Sequence, residues 1–108
     1  MTDALVVLVT VPSRDDGERI AEAVVGESLA ACVNILGPIR SIYRWQGEIA
    51  RDDEHLLLIK ATRAGYLALE SRVRALHSYE NPECIAVAVE QGAGAYLEWV
   101  TQGVTGDR

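Results

Sequence analysis

Ala4-Leu-Val-Val-Leu-Val-Thr-Val11 is an almost unbroken apolar run, rich in β-branched side chains and closed by Pro12. A run this short and uniformly apolar reads as a strand in the middle of a sheet, buried on both faces. Pro12 has no N–H to give the ladder and ends it. A second run of the same character, Leu56-Leu-Leu-Ile-Lys-Ala61, lies past the middle of the chain. The rest of the sequence is what leads between these two strands or packs onto them.

After Pro12, Ser13 offers an N-cap, and Asp15, Asp16 and Glu18 put negative charge where a helix dipole favours it. Ile20, Ala23, Val24 and Ala31 fall near helical spacing, which predicts a helix over Asp15–Leu29. Gly26 costs it about 1 kcal/mol relative to Ala. Ala31–Leu36 reads as a second strand, interrupted by Gly37-Pro38 as a kink or bulge and resumed over Ile39–Trp45. Gln46-Gly47 suits a tight hairpin turn, because Gly tolerates positive φ. The return strand starts near Glu48, carries the polar stretch Arg51-Asp-Asp-Glu54 and ends in the second apolar run. Thr62 can cap a helix over Arg63–Leu76, whose stripe Tyr66, Leu69, Val73, Leu76 would face a sheet. His77–Glu83 is a loop, Cys84–Glu90 a fourth strand broken by Gly92 and Gly94, and Tyr96–Val104 a short terminal helix. Residues 105–108 are expected to fray.

The order β-α-β-β-α-β plus a C-terminal helix predicts an α+β fold. Two interlocked right-handed crossovers give a ferredoxin-like split βαβ sandwich with an antiparallel sheet in the order 4-1-3-2. The two apolar runs then occupy its centre. The 108 residues form one domain, 1–108. Two helices cover one sheet face and leave the other bare, and Tyr43, Trp45 and Ile49 cluster near the tip of the long hairpin, beyond reach of a small core. Bare apolar faces and open edges invite pairing with another chain, so self-association is expected at Tyr43, Trp45 and Ile49.

Sixteen acidic residues against ten basic ones give a net charge of -6, which argues against nucleic acid as a partner. No Lys/Arg block suggests a membrane surface, no run reaches the ~20 apolar residues of a span, and no signal peptide is visible, so a cytoplasmic location is expected. Cys32 and Cys84 fall on opposite edge strands, three spacings of ~4.8 Å apart, or about 14 Å. A disulfide needs Cα atoms within about 7 Å, so no bridge within one chain is expected.

His77 and Glu83 flank a loop with Tyr79 and Glu80. Imidazole and carboxylate can bind Zn²⁺ or Cu²⁺ or do acid–base work, and Cys32 is the natural extra ligand if subunits combine. A hydrogen-bonded structural His is the alternative. His55 beside Asp52, Asp53 and Glu54 reads as a solvated strand segment or a surface metal site. Lys60, the sole lysine, would want a carboxylate partner or an anionic ligand. A small anion could sit between subunits near Lys60, Trp45, Tyr79, Glu80 and Trp99; the two Trp rings otherwise suit an interface. No G-x-S-x-G, H-E-x-x-H or complete G-x-G-x-x-G occurs, and no nucleophile can be read, so an enzyme is not expected.

Val9-Thr-Val-Pro12, Leu29-Ala-Ala-Cys-Val-Asn34, Ser41-Ile-Tyr-Arg-Trp-Gln-Gly-Glu48, Leu58-Ile-Lys-Ala-Thr62, His77-Ser-Tyr-Glu-Asn-Pro-Glu83 and Tyr96-Leu-Glu-Trp99, in this order over essentially the whole chain, resemble the divalent-cation-tolerance (CutA) family. The resemblance implies a ferredoxin-like subunit, a compact homotrimer, and a link to tolerance or binding of divalent metals such as copper, with no known reaction. The implied architecture is similar to that of the PII signalling proteins, trimers that hold small ligands between subunits. Members of the family proposed to bind copper can carry a Cys where this chain has Val9, and adjacent His residues where it has Leu76 and His77. Ser78 stands in place of their Pro.

Overall fold

The computed structural model describes residues 2–104, so the expected fraying of 105–108 lies outside the described residues. Strand β1, Ala4–Val11, is flanked by β3, Glu48–Thr62, and by β4, Ile85–Ala88. Strand β2, Cys32–Trp45, lies outside β3 and completes a four-stranded sheet in the order β2-β3-β1-β4. That is the expected order read from the other edge, and every pairing is antiparallel. Helices α1, Arg14–Gly26, α2, Tyr66–Leu76, and α3, Gly94–Val104, complete the α+β chain.

Alternation along the central strands sets the two sheet faces. Leu5, Val7, Val9 and Val11 of β1 and Leu57, Ile59 and Ala61 of β3 are buried against Ile20 and Val24 of α1 and Leu69 and Val73 of α2. The opposite face carries Val6, Leu8, Thr10, Leu58 and Lys60, all half-buried, with Leu36, Ile85 and Val87 exposed. So β1 is central but buried fully on one face only. Nor is the opposite face wholly bare. Helix α3 packs on β1 and β3 and shares a hollow with Val6 and Lys60, which shields one end of that face.

Helix α1 begins at its Ser13 cap, whose Oγ accepts from the Asp16 N–H at 3.1 Å. It ends at Gly26, short of the expected Leu29, because Ser28 takes φ 61° while Glu27 and Ser28 bond back to Ala23 and Val25. Helix α2 starts at Tyr66, not Arg63. The Arg63 N–H is still held by Asp3, and the Thr62 hydroxyl accepts from Gly65 N–H at 3.2 Å, closing a turn first. Strand β4 is shorter than expected, and Cys84 precedes it, because pairing with β1 covers only Leu5–Leu8.

The interruption at Gly37-Pro38 is a register shift between Leu36 and Ile39 within one continuous β2, with a cis peptide bond before Pro38. Only glycine fits here. Its φ is 152°, and a Cβ would lie 2.6 Å from the His55 ring. The hairpin turn is Gln46-Gly47, with φ 51° and 82°, the two positive values such a turn requires. At ~3.3 Å per residue the 15-residue β3 spans about 46 Å. The hairpin therefore sets the 45 Å long axis of the molecule.

Candidate functional site

The candidate residues separate into two regions along the sheet. The first gathers where β1 outruns β4. Beyond Leu8 the β1 backbone has no strand partner on that side. The loop after α2 supplies one: His77 Nε2 lies 2.7 Å from the Thr10 carbonyl, and Nδ1 accepts the Tyr79 N–H at 3.0 Å. These two bonds assign the neutral tautomer with the proton on Nε2, donating to Thr10. His77 is buried, and its ring stacks at a tilt on Tyr79, 4.8 Å between centroids.

Tyr79 then reaches the sheet, where its hydroxyl donates to Glu54 Oε2 at 2.8 Å. Burial, reinforced by the Glu54 carboxylate, pushes the Tyr79 phenol well above its ordinary range. Glu54 is only 8 % exposed, so the reading of Asp52, Asp53, Glu54 and His55 as a solvated segment fails at this residue. Its place follows from alternation: two residues before Leu56, it points to the same face as Leu56 and Leu58. One step further, Asp52 accepts a hydrogen bond from the Tyr43 hydroxyl, which holds that phenol's proton more tightly. His55 belongs to the other side, packed beneath Gly37 with Nδ1 buried and without a described partner.

The second region centres on Lys60. Across the ladder Lys60 pairs with Cys32 on one side and Val6 on the other, and its ammonium donates to Asn34 Oδ1. Beside it α3 presents Tyr96 and Trp99, both exposed, with rings 5.6 Å apart. Lys60 sits at the Val6 level of β1 and His77 at the Thr10 level, so Cys32 and His77 do not meet within one subunit. Glu80 and Glu83 are exposed. Among the described residues no three His, Cys, Asp or Glu side chains converge on a point that could hold a metal ion. Both thiols are free, and burial raises that of Cys84. Trp45 and Ile49 stand at the hairpin tip, just beyond Tyr43 and Asp52, 62 % and 58 % exposed.

The sequence reading named His77, Tyr79 and Lys60 but missed their partners. Thr10 contributes only a backbone carbonyl, which no side chain betrays. Asn34 and Glu54 carried a usable signal in their alternation with the apolar residues of their strands.

The profile of the family described as "CutA1 divalent ion tolerance protein" matches residues 5–103. The chain belongs to this family. It is 50% identical over 97 residues to the divalent-cation tolerance protein CutA of Thermus thermophilus, covering 90% of this chain and 94% of that protein. The solved structure of the Thermus protein superposes with a TM-score of 0.88 at 49% identity, over 90% of this chain and 94% of that one. The CutA structure from Xylella fastidiosa gives 0.93 at 40% identity, over 95% and 99%. The chloroplastic CutA protein of Arabidopsis thaliana is 44% identical over 97 residues, 90% of this chain, which spans 53% of the length of that relative. The CutA1 match thus takes in both regions described above, from β1 to α3. No helix among the described residues is long and apolar enough to cross a membrane.

Proposed function

We propose that this chain serves divalent-cation tolerance as a cytoplasmic homotrimer of ferredoxin-like subunits, through assembly and weak cation binding and not through catalysis. Membership of a family described by divalent ion tolerance gives the role. The observation that carries the assembled form is the apolar surface one subunit leaves open. Leu36, Ile85 and Val87 on one sheet face and Ile42, Trp45 and Ile49 on the hairpin are all exposed. Monomers rarely leave such surface in contact with water.

Cation binding in this reading is a property of the assembly. No subunit gathers three ligands among its described residues, and a closed site for Cu²⁺ or Zn²⁺ needs more than two. Cys32 and Glu83 are accessible enough to be shared across a subunit boundary. His77 would join them only by giving up a hydrogen bond, since both ring nitrogens are engaged. The acidic balance of the chain, -6, favours cations and disfavours nucleic acid and anionic membrane.

Sedimentation equilibrium on metal-free protein, repeated with Cu²⁺ and with Zn²⁺, tests the reading. A trimer in the absence of metal, with a whole number of metal ions bound per trimer on titration, is expected. A monomer under all three conditions refutes the assembly. A trimer that takes up neither ion at millimolar concentration refutes the cation role.

A further inference from the structure

Lys60 stands out electrostatically. It is the only lysine of a chain with net charge -6. Sixteen acidic residues are available, yet among the described residues no carboxylate lies within ion-pair distance of its ammonium. Its described hydrogen bond goes to a neutral acceptor, Asn34 Oδ1. A cation without a counter-charge is stabilised by whatever anion can reach it.

The surroundings define that anion. With Oδ1 turned toward Lys60, the amide of Asn34 keeps its NH₂ group free to donate to the same visitor. Two donors, one charged and one neutral, match the two oxygens of a single carboxylate. A doubly charged phosphate would find one cation only. Lys60 also lines an open hollow of about 200 Å³ between α3 and β1, together with Val6, Val89, Leu97 and Val100, with Tyr96 on it as well. At ~30 Å³ per water this is room for roughly seven waters, well below the range of drug-sized pockets. It suits a short hydrocarbon tail.

We propose that the Lys60–Asn34 pair and the α3 hollow form a binding site for a small monocarboxylate with a short apolar tail. The carboxylate bridges Lys60 Nζ and Asn34 Nδ2, and the tail replaces water against Leu97 and Val100. The site lies at the end of the sheet opposite His77 and Glu54 and takes its ligand without metal. It goes beyond the cation-tolerance reading, and one can fail without the other.

Hexanoate is the probe. Full-length protein in EDTA-containing buffer is titrated calorimetrically and by thermal unfolding, with acetate, 1-hexanol and hexylamine alongside and the oligomeric state monitored by sedimentation. Hexanoate should bind and raise Tm, since a ligand held by the native state alone stabilises it. Acetate should bind more weakly for want of a tail, and hexanol and hexylamine should show no comparable binding. Lys60→Met keeps the stem and removes the charge, and should weaken hexanoate by about tenfold or more. Lys60→Arg should retain binding. If Lys60→Met does not fold, Leu97→Trp, which fills the hollow, should abolish the advantage of hexanoate over acetate. Equal binding of hexanol and hexanoate, undiminished binding by a folded Lys60→Met protein, a hexanoate advantage that survives Leu97→Trp, or no binding of hexanoate at all would overturn the proposal.

Discussion

His77 works through both nitrogens of its ring at once: Nε2–H closes the open end of β1 through Thr10, and Nδ1 fixes the loop through the Tyr79 amide. His77→Ala strips both partners in a buried place, and a loss of about 1–3 kcal/mol is expected from urea unfolding in metal-free buffer. An unchanged midpoint would mean that these two hydrogen bonds do not stabilise the fold. The phenols of Tyr79 and Tyr66 give a pH test. Burial, then the hydrogen bonds to Glu54 and to Glu70 and Cys84 respectively, raise both above the ordinary value near 10. The unfolded chain loses these protons first. Their contribution is therefore complete below pH ~10 and fades as pH climbs toward the folded-state values. A Tyr66→Phe/Tyr79→Phe variant should lose stability less steeply above pH ~10 than the parent, and parallel alkaline slopes would refute it. At this scale the sequence exposed the reactive groups but not their partners. Tyr79 was legible as a candidate, while Glu54 passed for a solvated residue because its burial depends on a loop arriving from twenty-five positions away.

Helix α1 lies close on the sheet because of Gly17. A Cβ there would sit 3.1 Å from Leu57 Cδ2 and 3.3 Å from Val11 Cγ2, both in the packed core. Gly17→Leu should lift the helix and cost about 1–3 kcal/mol in a denaturation series. Gly26→Ala, with nothing within 4 Å of the new methyl, should be neutral or stabilising by up to about 1 kcal/mol. If the two substitutions prove equivalent, close approach is not what Gly17 provides. The elements themselves were largely readable. Apolar runs gave β1 and β3, and Gln46-Gly47 gave the turn. Their ends were not, because a boundary is set by competition. Arg63 prefers the backbone partner offered by Asp3 to an early start for α2, and β4 stops where β1 offers no further partner.

The molecule as a whole is a packed half and an extended arm. The arm contributes nothing to the subunit core, as the exposure of Trp45 and Ile49 shows. A Trp45→Ser/Ile49→Ser variant should therefore keep the far-UV circular dichroism of the parent subunit. In the proposed trimer it should dissociate at concentrations where the parent stays assembled, as read by sedimentation. A variant that unfolds would place these side chains in the subunit core instead, and one that stays trimeric would move the interface elsewhere.

The sequence by itself determined the strand order, the α+β class and the family. Each is written in local periodicity and in short segments that every part of the chain carries independently. Only the tertiary structure decided which candidate residues meet. It engaged both nitrogens of His77, buried Glu54 under Tyr79, put Cys32 and His77 at different levels of the sheet, and brought α3 beside Lys60. These outcomes rest on contacts between segments far apart in the chain and on backbone groups common to all residues, and neither leaves a mark in a local pattern.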